Sequence, residues 1–458
     1  MRTFNTMISL TILVFFLSTG LKAQELLVKN VHILTLDDTS VKKDQTIHIK
    51  DGLIIDFYPK SNIPVGLREL VSIDGMGGYV FPGLAEMHSH IPTTDTNDFS
   101  YIEDVMWLYL ANGILNVRGM IGHPSHLELK KRIEIGEITG PRIFAAGPSL
   151  NGSSVESPEI GAKMVKEQHQ AGFDHLKLHP GLDMPRFLAI ANTAKEVGIK
   201  FGGHVSLDVG LENSLNNGYH SVEHIDGYIE ALIVDKSRLD PQIAGPFSML
   251  LVQEADLSKL PQLVQLTLDT KAWIAPTLTL FERFFGYIPA DEFRLEEDMK
   301  YMPGIQVQQW VNQKKLLENQ GVLKEENVKP YLEFRQMLLK TLYDADVPIL
   351  LSSDSPQVFN VPGFSIHNEI KSMHDAGMRP LDILRSGSRN VARYFDQEGD
   401  FGVLEKNASA DFVLLRGNPL EDLNQLRNIS GVMLRGQWIN QEKLQSELNR
   451  IEKKNIRK

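Results

Sequence analysis

Residues 81–91 read FPGLAEMHSHI and place His88 and His90 one residue apart behind a Pro-Gly turn. Side chains at i and i+2 of a strand share a face, so both imidazoles can converge on one point, such as a metal ion. The pair alone does not make a site, because HxH also serves plain hydrogen bonding. Farther on, FDHLKLHPG alternates, with His175, Lys177 and His179 on one strand face and Leu176 and Leu178 on the other. A Lys turned into a barrel core needs a carboxylate partner, a lowered pKa or chemical modification. His204 follows two glycines in FGGHVS, which let backbone or ligand approach closely, and His224 sits beside Glu223 and Asp226 in SVEHIDG. Asp354 ends the apolar run VPILLSSD, where a bare carboxylate is costly unless it meets a cation. With no Cys in the chain, a bound metal would be held by His, carboxylate or modified Lys.

The elements that must position these residues fall into two kinds. Residues 25–80 carry short β-prone runs, ELLVKNVHILTL, QTIHIK, GLIIDFY and LVSIDGMGGYVF, separated by turn residues such as Asp51-Gly52 and Gly77-Gly78, which predicts a small β-sandwich. From Phe81 onward, strand-like runs alternate with helical segments: 81–90, 113–119, 141–147, 173–179, 199–205, 220–225, 273–280 and 347–354. Between two of them, PRFLAIANTAKEVG repeats apolar residues near 3.6 and ends at Gly198, which predicts a helix. Strand and helix in repetition imply a parallel sheet, and eight strands are the number that closes a (β/α)8 barrel. In that α/β architecture catalytic residues sit at the carboxyl ends of strands. The suspect residues fall there: histidines on strands one, five and six, Lys177 on four and Asp354 on eight.

Other features bound the function. The first 23 residues read as a secretory signal peptide: Arg2, an apolar run from Met7 to Leu17, a Ser-Thr-Gly break, and Ala23 before the cleavage point. The apolar run is short for a bilayer span, and no Cys follows it to carry a lipid, so no stable membrane anchor is expected after cleavage. The mature protein is therefore placed outside the cytoplasm, secreted or periplasmic. The formal charge of −11 becomes more negative when Arg2 and Lys22 leave, and an acidic chain without basic clusters is a poor partner for nucleic acid or anionic membrane.

Taken together, PGLAEMHSH, HLKLHPG, GGHVS, SVEHIDG and SSDSP resemble the amidohydrolase superfamily of metal-dependent hydrolases, in particular its imidazolonepropionase-like and Xaa-Pro dipeptidase-like groups. The tail GSRNVARYF followed by FGVLEKNASADFVLLRGNPLEDLNQLRNISGVMLRGQWI carries the same resemblance. The resemblance implies that residues 24–80 and 400–445 form one composite β-sandwich around a barrel of residues 81–399. It also implies two divalent metals, usually zinc. His88, His90 and Asp354 would bind one, His204 and His224 the other, and a Lys177 carbamylated by carbon dioxide would bridge both. Glu86 stands where the family often has Asp, in a position to orient the ligands.

Such a site implies hydrolysis of a carbonyl bond, with Asp354 taking the proton of the attacking water and passing it to the leaving group. A small amide is the expected substrate, dipeptides ahead of cyclic amides. Esters, lactones or phosphotriesters on the same metals are a second reading, and an inactive metal-containing binding protein a third. His179, Tyr228 and Arg118 are candidates for substrate contact, Arg118 by pairing with a carboxylate. The stretches 226–273 and 282–330 exceed what one connecting helix needs and are long enough for a lid or a homo-oligomer contact. His123 and His126 read as surface residues, and the C-terminal NRIEKKNIRK as a solvated charged end.

Overall fold

The computed structural model describes residues 25–456, so the signal-peptide segment lies outside the described residues. Fourteen strands follow in chain order: β1 (Glu25–Ile33), β2 (Lys42–Lys50), β3 (Leu53–Pro59), β4 (Ser72–Pro82), β5 (Leu84–Ser89), β6 (Ile114–Gly119), β7 (Arg142–Ala145), β8 (His175–Leu178), β9 (Lys200–Gly203), β10 (Ser221–Glu223), β11 (Trp273–Ala275), β12 (Phe412–Leu415), β13 (Ile429–Leu434) and β14 (Gln437–Asn440). No helix among the described residues is long and apolar enough to cross a membrane.

Both chain ends meet in one mixed sheet of order β14-β13-β12-β4-β1-β2-β3. The ladder is a single seven-stranded sheet and not the two sheets of a sandwich. Its apolar residues from either end, among them Val28, Ile47, Val80, Phe412 and Met433, pack into one cluster. Strand β4 carries the chain from this sheet almost directly into β5, so the terminal sheet is fastened to the strand bearing His88.

The central strands form two parallel sheets, β5-β6-β7 and β11-β10-β9-β8. Isolated parallel bridges join them on one side, Ala146 to His175 and Leu150 to Leu178. On the other side residues 347–355 lie between β11 and β5, through bridges from Ile274 to Ile349 and from Ser89 to Ser355. The helix predicted after the fourth central strand is Met184–Val197, capped by the Asp183 side chain at its start and by left-handed Gly198 at its end.

Two of the expected strands differ. The run 273–280 is extended only to Ala275, because Pro276 has no N–H to give a ladder and Thr277 turns left-handed at φ 48°. A helix, Leu278–Phe284, follows, and the first N–H groups, of Leu278 and Thr279, donate to the buried Glu369 carboxylate at 3.0 and 2.8 Å. Residues 347–354 form bridges but no regular strand, since the Ser353 N–H is taken by the Glu86 carboxylate at 2.9 Å. The glycines before His204 serve backbone approach: a Cβ on Gly203 would stand 2.1 Å from the Leu178 carbonyl oxygen.

The long insertions are packed helices. Trp310 and Tyr331 are buried in them, on Gly304–Asn319 and Glu325–Asp344. The charged C-terminus is a docked helix, Gln441–Ile456, not a solvated end. Ile451 is buried, and Arg450 and Lys454 pair with the half of the Asp104 carboxylate each reaches, at 2.7 and 2.5 Å. His126 is buried too, contrary to its surface reading, because its helix turns the ring toward the Pro92 carbonyl, 3.2 Å away.

Candidate metal centre

His88 on β5, Lys177 on β8, His204 just past β9 and His224 just past β10 lie at the carboxyl ends of the parallel strands, and with Asp354, at the end of the bridged segment 347–354, they are brought into one cluster. The Nε2 of His88 lies 3.3 Å from Lys177 Nζ and 4.0 Å from Asp354 Oδ2. The Nε2 of His90 is 3.3 Å from Asp354 Oδ1, and that of His224 is 3.8 Å from Asp354 Oδ2. His204 joins through its ring, centred 4.5 Å from that of His224. Ligand atoms of His88, His90 and Asp354 lie within 4.8 Å of one another, close enough to share one ion.

What orients the rings is their other nitrogen. His88 Nδ1 meets Glu223 Oε2 at 2.7 Å, His204 Nδ1 meets Asp226 Oδ2 at 2.6 Å, and His224 Nδ1 meets Thr277 Oγ1 at 2.7 Å. A carboxylate only accepts, so Nδ1 of His88 carries the proton and Nε2 is left with its lone pair. Burial holds His88, His90, His204 and His224 well below the usual imidazole range, which keeps them neutral donors of electron pairs. Holding a ring by Nδ1 while Nε2 faces a common point is how a metal-ligating His is oriented.

The charged members are under-compensated. Burial pulls the Lys177 ammonium down from its ordinary range and pushes the Asp354 carboxyl up. Asp354 Oδ1 is buried and receives no hydrogen bond, although a His ring nitrogen stands near it. An orphaned carboxylate oxygen among neutral imidazoles is a donor set suited to a divalent cation, and with imidazole and carboxylate ligands it suits zinc among others. The residues present therefore fit the metal that the sequence implies.

Glu86 is the clamp of this centre. Its carboxylate accepts the backbone N–H groups of His88 and Ser353, both at 2.9 Å, and so ties the His88 segment to the one bearing Asp354. Burial raises its pKa to about 7. Sequence reasoning placed Glu86 in an orienting position, but it missed Thr277 and Glu369. Thr277 follows a Pro inside an apparent strand, and Glu369 lies on the helix Ser365–Asp375, more than eighty residues away from the amides it caps.

Two of the three substrate candidates are corrected. All three Arg118 guanidinium nitrogens are used: Nη2 pairs with both Glu223 oxygens at 2.8 and 2.9 Å, Nη1 reaches Ser221 and Tyr394, and Nε donates to the Met87 carbonyl. Buried completely, it has no nitrogen left for a substrate carboxylate. Tyr228 begins the helix Tyr228–Leu232, is fully buried, and bonds Thr267 Oγ1 at 2.6 Å, away from the cluster. His179 remains beside it, its ring 5.2 Å from that of His204 and its Nδ1 2.6 Å from Ser149 Oγ.

Comparison with known proteins accords with this geometry. The model of the amidohydrolase family matches residues 79–439. In fold, the chain is similar to a bottromycin amidohydrolase, at a TM-score of 0.71 and 18% identity, covering 94% of this chain and 91% of that one. It is also similar to a Xaa-Pro dipeptidase with bound methionine in its active site, at a TM-score of 0.65 and 17% identity, covering 91% of this chain and 100% of that one. A 67-residue stretch is 37% identical to an imidazolonepropionase of Kosmotoga olearia (strain ATCC BAA-1733 / DSM 21960 / TBF 19.5.1), spanning 15% of this chain and 15% of that relative's length. From a family match that runs from the end of β4 through all the cluster residues to β14, the chain belongs to the amidohydrolase family.

Proposed function

We propose that the protein hydrolyses a small amide, dipeptides ahead of cyclic amides, at a binuclear centre held by His88, His90, His204, His224, Lys177 and Asp354. The observation that carries this is the convergence of neutral imidazoles around Asp354, whose Oδ1 is buried without a hydrogen bond. His88, His90 and Asp354 would hold one divalent ion, zinc being the ion this ligand type suits, and His204 and His224 the other. Such ions supply a water of lowered pKa and polarise the scissile carbonyl.

The chain's own groups do the rest. Lys177, with its ammonium disfavoured by burial, offers a neutral amine that adds to carbon dioxide, releasing one proton and leaving an anionic carbamate. That anion would remove the cost of a buried ammonium, and Lys177 would then serve both halves of the ligand set. Asp354, placed among the imidazoles with one carboxylate oxygen free of hydrogen bonds, takes a proton from the attacking water and delivers it to the leaving nitrogen. Glu223, Asp226 and Thr277 hold the rings so that no ligand rotates during the exchange.

The dipeptide preference is supported by likeness in fold to a Xaa-Pro dipeptidase. We read the central strands as a (β/α)8 barrel closed through residues 347–355, and the terminal sheet as the composite domain; the bridges on both sides of the two parallel sheets support that reading. We read the mature chain as secreted or periplasmic, a reading supported by the signal-peptide pattern of its first 23 residues.

Metal content per chain, by elemental analysis of the purified protein and of Lys177→Ala, tests the centre. About two ions in the parent, falling sharply in the variant, are expected. One ion or none, unchanged by the substitution, would sink the binuclear reading. Rates on amides and esters matched in every other group decide the bond: faster turnover of the esters would replace the amide reading.

A further inference from the structure

The segment after Gly245 carries an aromatic residue to the cluster in an unusual way. Gly245, Phe247 and Ser248 have φ of 69°, 50° and 55°, so two side-chain-bearing residues in a row are left-handed. That conformation is disfavoured for a bulky residue and persists only where the surroundings impose it. Here they do. Ser248 Oγ donates to Glu230 Oε1 at 2.5 Å, and Ala244 and Leu251, on either side, are buried together with Ile233. The backbone is pinned at both ends, and Phe247 is the residue it presents.

The Phe247 ring is centred 6.3 Å from the rings of both His204 and His224. On its other side it meets Phe281 edge-on at 5.1 Å and Phe285 at 5.7 Å. Phe281 and Phe285 are fully buried, whereas Phe247 is half-buried, so it is the outermost ring of the three. A half-exposed ring between solvent and two of the histidines borders whatever sits on them.

Resting on the amide-hydrolase reading, we infer that Phe247, backed by Phe281 and Phe285, is a specificity-determining wall that selects an apolar group beside the scissile bond, on the His204 and His224 side. An aliphatic side chain or a pyrrolidine ring placed there buries its surface against the aromatic face. A charged or hydroxyl-bearing group would lose its water without gaining a partner.

The test uses the full metal-loaded protein and its Phe247→Ala and Phe247→Leu variants. One readout is kcat/KM on dipeptides that differ only in leucine against glycine at each position. The leucine-to-glycine ratio at one position is expected to fall by ~10-fold in Phe247→Ala and to recover in part in Phe247→Leu, the size of an apolar pocket contact. An unchanged ratio, or an equal loss on both substrates, overturns the wall. The second readout needs no turnover: calorimetric binding of leucine hydroxamate against glycine hydroxamate. The parent should prefer the leucine compound and Phe247→Ala should lose that preference; equal affinities in the parent, or no binding of either, overturn the proposal. Loss of preference in binding together with no amide cleavage by the parent would leave the wall standing and remove only the amide reading.

Discussion

Two charged groupings are buried among the parallel strands, and they are built on opposite principles. Arg118 and Glu223 form a closed set: every guanidinium nitrogen has an acceptor, and the carboxylate receives Arg118, Ser221 and His88. Lys177 and Asp354 form an open one, with an orphaned carboxylate oxygen and imidazole lone pairs facing inward. His88 belongs to both, its Nδ1 on Glu223 and its Nε2 toward Lys177 and Asp354. The lesson is that a satisfied buried ion pair positions and an unsatisfied one is kept for chemistry. Removing one partner of the first should cost the fold, and removing one member of the second should cost the reaction.

The largest effect should come from crossing that line on the closed side. Arg118→Met leaves Glu223 buried without its cation, and losing one partner of a buried pair costs roughly 3–5 kcal/mol. Chemical denaturation should show that loss. Asp354→Asn is the counterpart: hydrolysis should fall by roughly 10²–10⁴-fold, the contribution of a positioned acid–base group. Its melting temperature in metal-free protein should stay level or rise, because burial already disfavours the ionised carboxylate that the amide replaces. A melting temperature that drops as far as that of Arg118→Met would erase the distinction between the two groupings.

The same contrast explains what could be read from sequence. Each of the six cluster residues carries a local mark: the i, i+2 spacing of His88 and His90 behind a Pro-Gly turn, the alternation around Lys177, the two glycines before His204, the acids beside His224, and the apolar run that Asp354 ends. Arg118 carries no local sign of being paired, because its fate depends on Glu223, a hundred residues later, pointing to the same interior. Tyr228 was placed by its distance from His224, but a helix begins at that residue and turns the hydroxyl to Thr267. The run WIAPTLTL carries a local break at Pro276, but the start of a helix behind it depends on the distant Glu369 carboxylate, which accepts two amide protons there. Phe247 gave no signal, since its importance rests on a backbone turn that local propensity disfavours.

A smaller effect concerns a residue outside both groupings. Burial brings the pKa of His126 down to about 4, and its ring meets the Pro92 carbonyl as a neutral donor. Because the unfolded ring titrates near 6.5, the contribution of His126 is complete above that pH and is lost as pH falls toward 4. Glu86 and Asp226, with pKa values raised by burial to about 7, act in the opposite sense, favouring the fold as pH falls. Comparison with His126→Gln cancels those shared terms. Between pH 7 and 5 the parent should lose about 1–2 kcal/mol more than the variant, measured by urea unfolding at each pH. Equal losses would mean that His126 is not held neutral.

The smallest effect separates packing from recognition. Tyr228 lies only four residues from His224, yet its hydroxyl is bonded to Thr267 Oγ1, itself bonded to the Leu263 carbonyl within the helix Leu260–Asp269. Tyr228→Phe keeps the ring and deletes one hydrogen bond between an inserted helix and the helix after β10. Thr267 Oγ1 loses that neighbour but keeps its carbonyl acceptor, so the loss should be about 1 kcal/mol, read as a lowered melting temperature. KM should not move, because the Tyr228 hydroxyl is buried and engaged with Thr267. A several-fold rise in KM at unchanged melting temperature would put Tyr228 back among the substrate contacts. It would also show that the helix after β10 turns its polar atoms toward the open grouping, as the closed one does through Glu223.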